Sequence, residues 1–118
     1  MQSYRDLIVW QKAMDLAELA YGLTKDFPRV ELYGMTSQIR RAATSVPANI
    51  AEGQGRENTG SFVQFLRIAQ GSLKELETHL ILSTRVKLAK QATVSPLLDL
   101  CEEVGRMLRA LIRKLQAA

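Results

Sequence analysis

The sequence predicts an all-α protein: one antiparallel up-down-up-down four-helix bundle over residues 1–118. Three observations carry that prediction. Apolar residues recur at intervals of three and four along most of the chain, the spacing of one helix face. The period-two alternation of a half-buried strand is nearly absent. Short connections marked by proline and glycine split the periodic stretches into four, and short connections make successive helices antiparallel neighbours.

The first helix is expected from about Tyr4 to Asp26. Leu7, Trp10, Met14, Ala17 and Tyr21 form one apolar stripe, and Val9, Ala13, Leu16, Ala20, Leu23 and Phe27 form a second. Two stripes exceed what one face of a small bundle needs, so the surplus points to a thick core or a subunit interface. Pro28 ends the helix, because the residue before a proline is pushed out of helical geometry. After the connection Arg29 to Gly34, Thr36 or Ser37 can cap a second helix. Ile39, Ala42, Val46 and Ile50 carry it to about Glu52. Pro47 is expected to kink or divide it, with Gly53 as its stop and Gly53 to Asn58 as a polar loop.

Thr59 or Ser61 opens the third and longest helix. Phe62, Leu66, Ala69, Leu73, Leu76 and Leu80 mark its core face, widened by Phe65, Ile68 and Leu82. The pattern fades near Lys87 to Ala92. Ser95 as N-cap and Pro96 at the first helical position predict the start of the fourth helix. Leu97, Cys101, Val104, Leu108, Leu111 and Leu115 then follow at heptad spacing.

A chain of this length can bury a core without disulfide or metal staples. Its single cysteine, Cys101, suits a reducing compartment. The N-terminus lacks the charged start, apolar run and cleavage site of a signal peptide. No apolar run reaches the roughly 20 residues of a membrane span, so a cytoplasmic location without membrane contact is expected.

Catalytic chemistry finds little support. One histidine, His79, and one cysteine cannot make a tetrahedral zinc set or the paired Glu-x-x-His motifs of a di-iron bundle. No metal and no cofactor are expected. Ser45 and Ser72 read as ordinary helix serines, His79 as a partly exposed helix residue, and Cys101 as a small buried hydrophobe. Gly53-Gln54-Gly55-Arg56 lacks the spacing and the Lys-Ser/Thr ending of a phosphate-binding loop, and reads as a turn between helices. A non-enzymatic protein is the expectation.

The charge balance is basic: sixteen Lys and Arg against twelve Asp and Glu, a net +4. Arg106, Arg109 and Arg113 share one face of the fourth helix, beside Lys114. Arg40 and Arg41 form a second basic spot, and Arg85, Lys87 and Lys90 a third. Guanidinium groups suit phosphate because they donate in a planar fork. A solvated face, with Glu102 pairing to Arg106, fits the sequence as well as a nucleic-acid face does. Arg41, Asn49 and Glu52 are expected to form a hydrogen-bonded structural cluster.

Several segments together resemble a known family. They are Tyr4-Arg5-Asp6-Leu7-Ile8-Val9-Trp10-Gln11-Lys12-Ala13, Phe27-Pro28, Glu31, Tyr33-Gly34, Gln38-Ile39-Arg40-Arg41-Ala42-Ala43, Ser45-Val46-Pro47-Ala48-Asn49-Ile50-Ala51-Glu52-Gly53 and Phe65 through Glu77. These resemble the proteins encoded by intervening sequences in 23S ribosomal RNA genes, together with the accessory variability determinant proteins of diversity-generating retroelements. The likeness covers about residues 4 to 90, and the fourth helix follows by pattern only. The resemblance implies an antiparallel bundle assembled as a ring-like homopentamer. In the retroelement branch it also implies a basic surface that contacts nucleic acid and a reverse transcriptase.

Overall fold

A computed structural model describes residues 3–117, and four helices make up most of it. They are α1 (Ile8–Thr24), α2 (Met35–Gly55), α3 (Thr59–Arg85) and α4 (Gln91–Ala117), with 3-10 turns at Tyr4–Asp6 and Arg29–Glu31. The described residues contain no strand. The molecule measures 46 × 22 × 20 Å. A helix of 27 residues, such as α3 or α4, rises about 40 Å, so it runs nearly the full length.

The second stripe of α1 faces the core. Val9, Ala13, Leu16, Ala20 and Leu23 are buried, whereas Met14 and Tyr21 of the first stripe are exposed. The expected start at Tyr4 is corrected. A 3-10 turn capped by Ser3 precedes α1, and Leu7 is extended between the two (ψ 122°). At the other end the buried Thr24 hydroxyl donates to the Ala20 carbonyl (2.8 Å).

Neither Thr36 nor Ser37 caps α2. Its N-cap is Gly34, and the Glu31 carboxylate accepts from the Met35 amide (3.0 Å). The helix continues through Pro47 and past Gly53 to Gly55, so Pro47 does not divide it and the Gly53 stop is corrected. Pro47 removes only the bond that would run to the Ala43 carbonyl, and its ring is itself buried. Gly53 does not mark an end. It marks a close crossing: a Cβ placed there would lie 2.6 Å from Phe65 Cβ.

Asn58 caps α3 by accepting from the Ser61 amide (2.9 Å). Its buried line is Phe62, Leu66, Ala69, Leu73, Leu76, Leu80 and Ser83, while Ile68 and Leu82 are exposed and do not widen it. The helix ends in a Schellman motif. Lys87 adopts a positive φ of 65°, the Leu88 amide reaches the Ser83 carbonyl (2.9 Å), and the Lys87 amide reaches that of Thr84 (3.2 Å).

The fourth helix starts at Gln91, one turn earlier than the Ser95-Pro96 pair predicts. The Lys90 carbonyl accepts from the amides of Thr93 and Val94. Val94 is fully buried and holds that early turn to the core. Toward the C-terminus the buried line leaves the heptad seam. Ile112 is buried, whereas Leu111 and Leu115 are half-buried.

Candidate nucleic-acid interface

After Glu103 the charged side chains of α4 are Arg106, Arg109, Arg113 and Lys114, with no carboxylate among them. All four are exposed. Arg106 Nη1 donates to Glu102 Oε1 at 2.9 Å, the i, i+4 pair that the sequence offers. Glu103 turns instead to Lys12 of α1 (3.3 Å). Arg109, Arg113 and Lys114 make no ion pair among the described residues, so their charge is open to an outside anion.

Arg85, Lys87 and Lys90 are also exposed, at the turn between α3 and α4, and make no ion pair among the described residues. They form a separate spot. Nineteen residues of helix separate Lys90 from Arg109, about 28 Å along the axis. Arg40 and Arg41 line one concavity but differ in state. Arg40 is half-buried: its Nε donates to Thr24 Oγ1 (2.9 Å), and its guanidinium lies 4.6 Å from the Tyr21 ring centroid. Arg41 is exposed and makes no ion pair among the described residues.

The expected cluster of Arg41, Asn49 and Glu52 does not form. Asn49 Nδ2 donates to the Ser45 carbonyl (2.8 Å) and hydroxyl (2.9 Å), and that hydroxyl pairs with Ser72 of α3 (2.8 Å). Glu52 takes Arg56, one turn on, at 3.0 Å. Arg41 lies about 12 Å along the helix from Asn49, beyond the reach of a short amide. The polar group that joins α2 to α3 is therefore Ser45, Asn49 and Ser72.

His79 is half-buried, and both ring nitrogens are buried without a hydrogen bond; Glu75 Oε2 stands 3.8 Å from Nε2. Cys101 is buried on the seam. Burial pushes its thiol up to about 12, the Glu77 carboxylate adds to that, and Lys74 opposes it. Such a thiol stays protonated and is no nucleophile near neutral pH. Among the described residues no three His, Cys, Asp or Glu side chains group as metal ligands would. No described helix is long and apolar enough to cross a membrane.

The first stripe of α1 lines a second feature. Tyr4, Trp10, Met14 and Tyr21 face Pro47 and Ala51 of α2 across an apolar groove of about 510 Å³. The stripe was visible in the spacing of α1. The wall that α2 supplies was not, because Pro47 reads as a helix breaker.

A family model described as 23S rRNA-intervening sequence protein matches residues 5–110. The chain belongs to that family. The match extends over most of α4, where the sequence resemblance rested on pattern alone. Among solved structures, this intervening-sequence protein is similar to a crystal structure of a protein with unknown function from the S23 ribosomal protein family of Bacteroides thetaiotaomicron VPI-5482. The TM-score is 0.80 at 24% identity, covering 89% of this chain and 98% of that one. The likeness establishes a shared fold. A comparison with curated proteins gives no match.

Proposed function

We propose that this intervening-sequence protein is a non-enzymatic, cytoplasmic subunit of a ring-like homo-oligomer that binds RNA or DNA through phosphate contacts. One observation carries the binding part: Arg109, Arg113 and Lys114 stand exposed and unpaired on a stretch of α4 that has no carboxylate. Such a surface holds phosphate by charge and reads little sequence. The antiparallel order is supported by contacts whose numbers fall on one helix as they rise on the other: Ser45 with Ser72, and Gly53 with Phe65. A ring of five, as the family resemblance implies, would repeat the basic patch around its rim and raise the local field.

The test is retardation of RNA and DNA at rising salt. The expected result is binding at low salt that weakens steeply as salt increases. The double variant Arg109→Ala, Arg113→Ala should bind less tightly and with a shallower salt slope, by roughly 0.9 per lost phosphate contact on duplex DNA. No retardation at low salt would overturn the reading. Light scattering tests the assembly: a monomer mass contradicts it.

A second reading is a protein-interaction scaffold, favoured by the apolar groove at Trp10. A reverse transcriptase is its natural partner if this protein serves a retroelement. A complex that survives nuclease treatment would support it, and recovery of the bare oligomer alone would count against it.

A further inference from the structure

We propose that the concavity between α1, the Arg29–Glu31 turn and α2 binds an unpaired nucleotide of single-stranded nucleic acid, with the base stacked on Tyr33 and the phosphate held by Arg41 and Arg40. The proposal rests on the nucleic-acid reading above, and adds a place and a ligand class that the α4 arginines do not supply.

The site holds about 320 Å³ and is lined by Tyr21, Tyr33, Ser37, Arg40, Arg41 and Thr44, among others. That volume is at the small end for ligand pockets, which run from about 300 Å³, and suits one nucleotide in place of a duplex. Its charge sets it apart. Two arginines line it and no carboxylate does. Four other concavities of the surface each carry at least one carboxylate: Glu18, Glu75, Asp26 or Asp99 among them.

The aromatic element is as open as a side chain can be. Tyr33 is 93% exposed, on a short turn fixed at both ends. The Leu32 amide reaches the Arg29 carbonyl (3.0 Å), and the Gly34 amide reaches that of Glu31 (2.9 Å). A free ring face on a fixed turn offers a stacking platform, and stacking accepts any base. Only an unpaired base can present its own face to such a ring, which excludes an intact duplex.

Arg40 is set in advance. The Thr24 hydroxyl gives its proton to Ala20, so its oxygen is left to accept from Arg40 Nε, and the Tyr21 ring supports the guanidinium plane. The two terminal nitrogens make no hydrogen bond among the described residues. The ordering cost of this side chain is met on folding and does not fall on binding. Thr44 donates to the Arg40 carbonyl (2.8 Å), while the Ser37 hydroxyl makes no hydrogen bond among the described residues and can donate to an oxygen of the ligand. The lining holds no opposed pair of donors and acceptors for a base edge, so base preference is weak.

The experiment uses the full chain and a fluorescent single-stranded RNA of about 12 nucleotides, with the duplex of the same sequence as contrast. A 2-aminopurine version reports stacking directly. The expected results are tighter binding of the single strand, quenching of 2-aminopurine, and a loss of about 5- to 150-fold for Tyr33→Ala, the range for one stacked base. Tyr33→Phe should bind like the parent. Arg41→Ala should flatten the salt slope by roughly 0.7, and Tyr33→Ala should leave it unchanged. If the parent binds RNA and Tyr33→Ala binds equally well with quenching intact, this site is overturned while the broader reading stands. If the parent binds no nucleic acid, both fall. If Tyr33→Ala lowers the oligomer mass along with binding, Tyr33 is a subunit contact, and the site is overturned.

Discussion

Gly53 sits at a close crossing of α2 on α3, facing the Phe65 Cβ, the Phe62 ring and the Phe62 carbonyl. A methyl group there would stand 2.6 Å from Phe65 Cβ and 3.2 Å from Phe62 Cδ1. Neither atom is the end of a flexible chain, so the helices must part. Gly53→Ala is expected to cost about 1–3 kcal/mol of stability, as overpacking does, even though alanine favours the helix. Gly71 is the contrast. It lies within α3 with nothing within 4 Å of an added Cβ, and it is exposed. Gly71→Ala should stabilise by up to about 1 kcal/mol through helix propensity alone. Urea denaturation of the two variants checks both signs.

Cys101 makes a second prediction at this scale. An ordinary thiol titrates near 9.0, and this one is pushed up to about 12. Between those values the folded chain keeps a proton that the unfolded chain has released. Its contribution to stability is therefore full below about pH 9 and is lost as the pH climbs toward 12. Cys101→Ala should lose less of its own neutral-pH stability at about pH 10 than the parent does, measured by denaturation midpoints. Iodoacetamide should label the parent only after denaturant is added.

Among the elements, the α3 terminus carries a cost in the wrong residue. Lys87 holds a φ of 65° at the position where a Schellman motif favours glycine. An L-residue pays roughly 1–2 kcal/mol in that region, so Lys87→Gly should raise stability by about 1 kcal/mol in thermal unfolding. The variant also removes a cation of the separate spot at the α3–α4 turn, so a loss of RNA binding in a more stable chain would assign that spot a part in binding. Helix identity was legible in the chain because spacing reports burial directly: Val9, Ala13, Leu16, Ala20 and Leu23 are buried as their intervals indicate. Helix ends were less legible because several residues offer competing signals there. Ser95-Pro96 carries the chemistry of a helix start, yet burial of Val94 outweighs it and the turn begins at Gln91. Met35 is capped by Glu31, four residues back, a partner that no local cap pattern reveals. The candidate site divides in the same way. The arginines of α4 could be placed on one face by counting. Tyr33 lies in a connection, where periodicity says nothing about exposure.

For the whole molecule, the four contacts between helices are unequal. Packing of α2 on α3 is the most extensive and that of α1 on α4 the least. The first pair is also joined by the Ser45–Ser72 hydroxyl contact and by the glycine crossing at Gly53. Met14 and Tyr21 of the first α1 stripe remain exposed in the single chain and line the groove at Trp10. Assembly would cover such a surface, which ties the stability of α1 to protein concentration if the groove is a subunit contact.

The tight α2–α3 crossing has a consequence in time as well as in space. Proteins open in cooperative units whose free energies range from near zero to that of the whole fold. Here the α2–α3 pair, with the most extensive packing, is expected to open last, and the α1–α4 contact, with the least, to open first. Native-state amide exchange should show it. Amides near Val46, Ile50, Ala69 and Leu73 should exchange only through global unfolding. Those near Leu19 and Leu97, which line a concavity between α1 and α4, should exchange through partial opening that responds more weakly to denaturant.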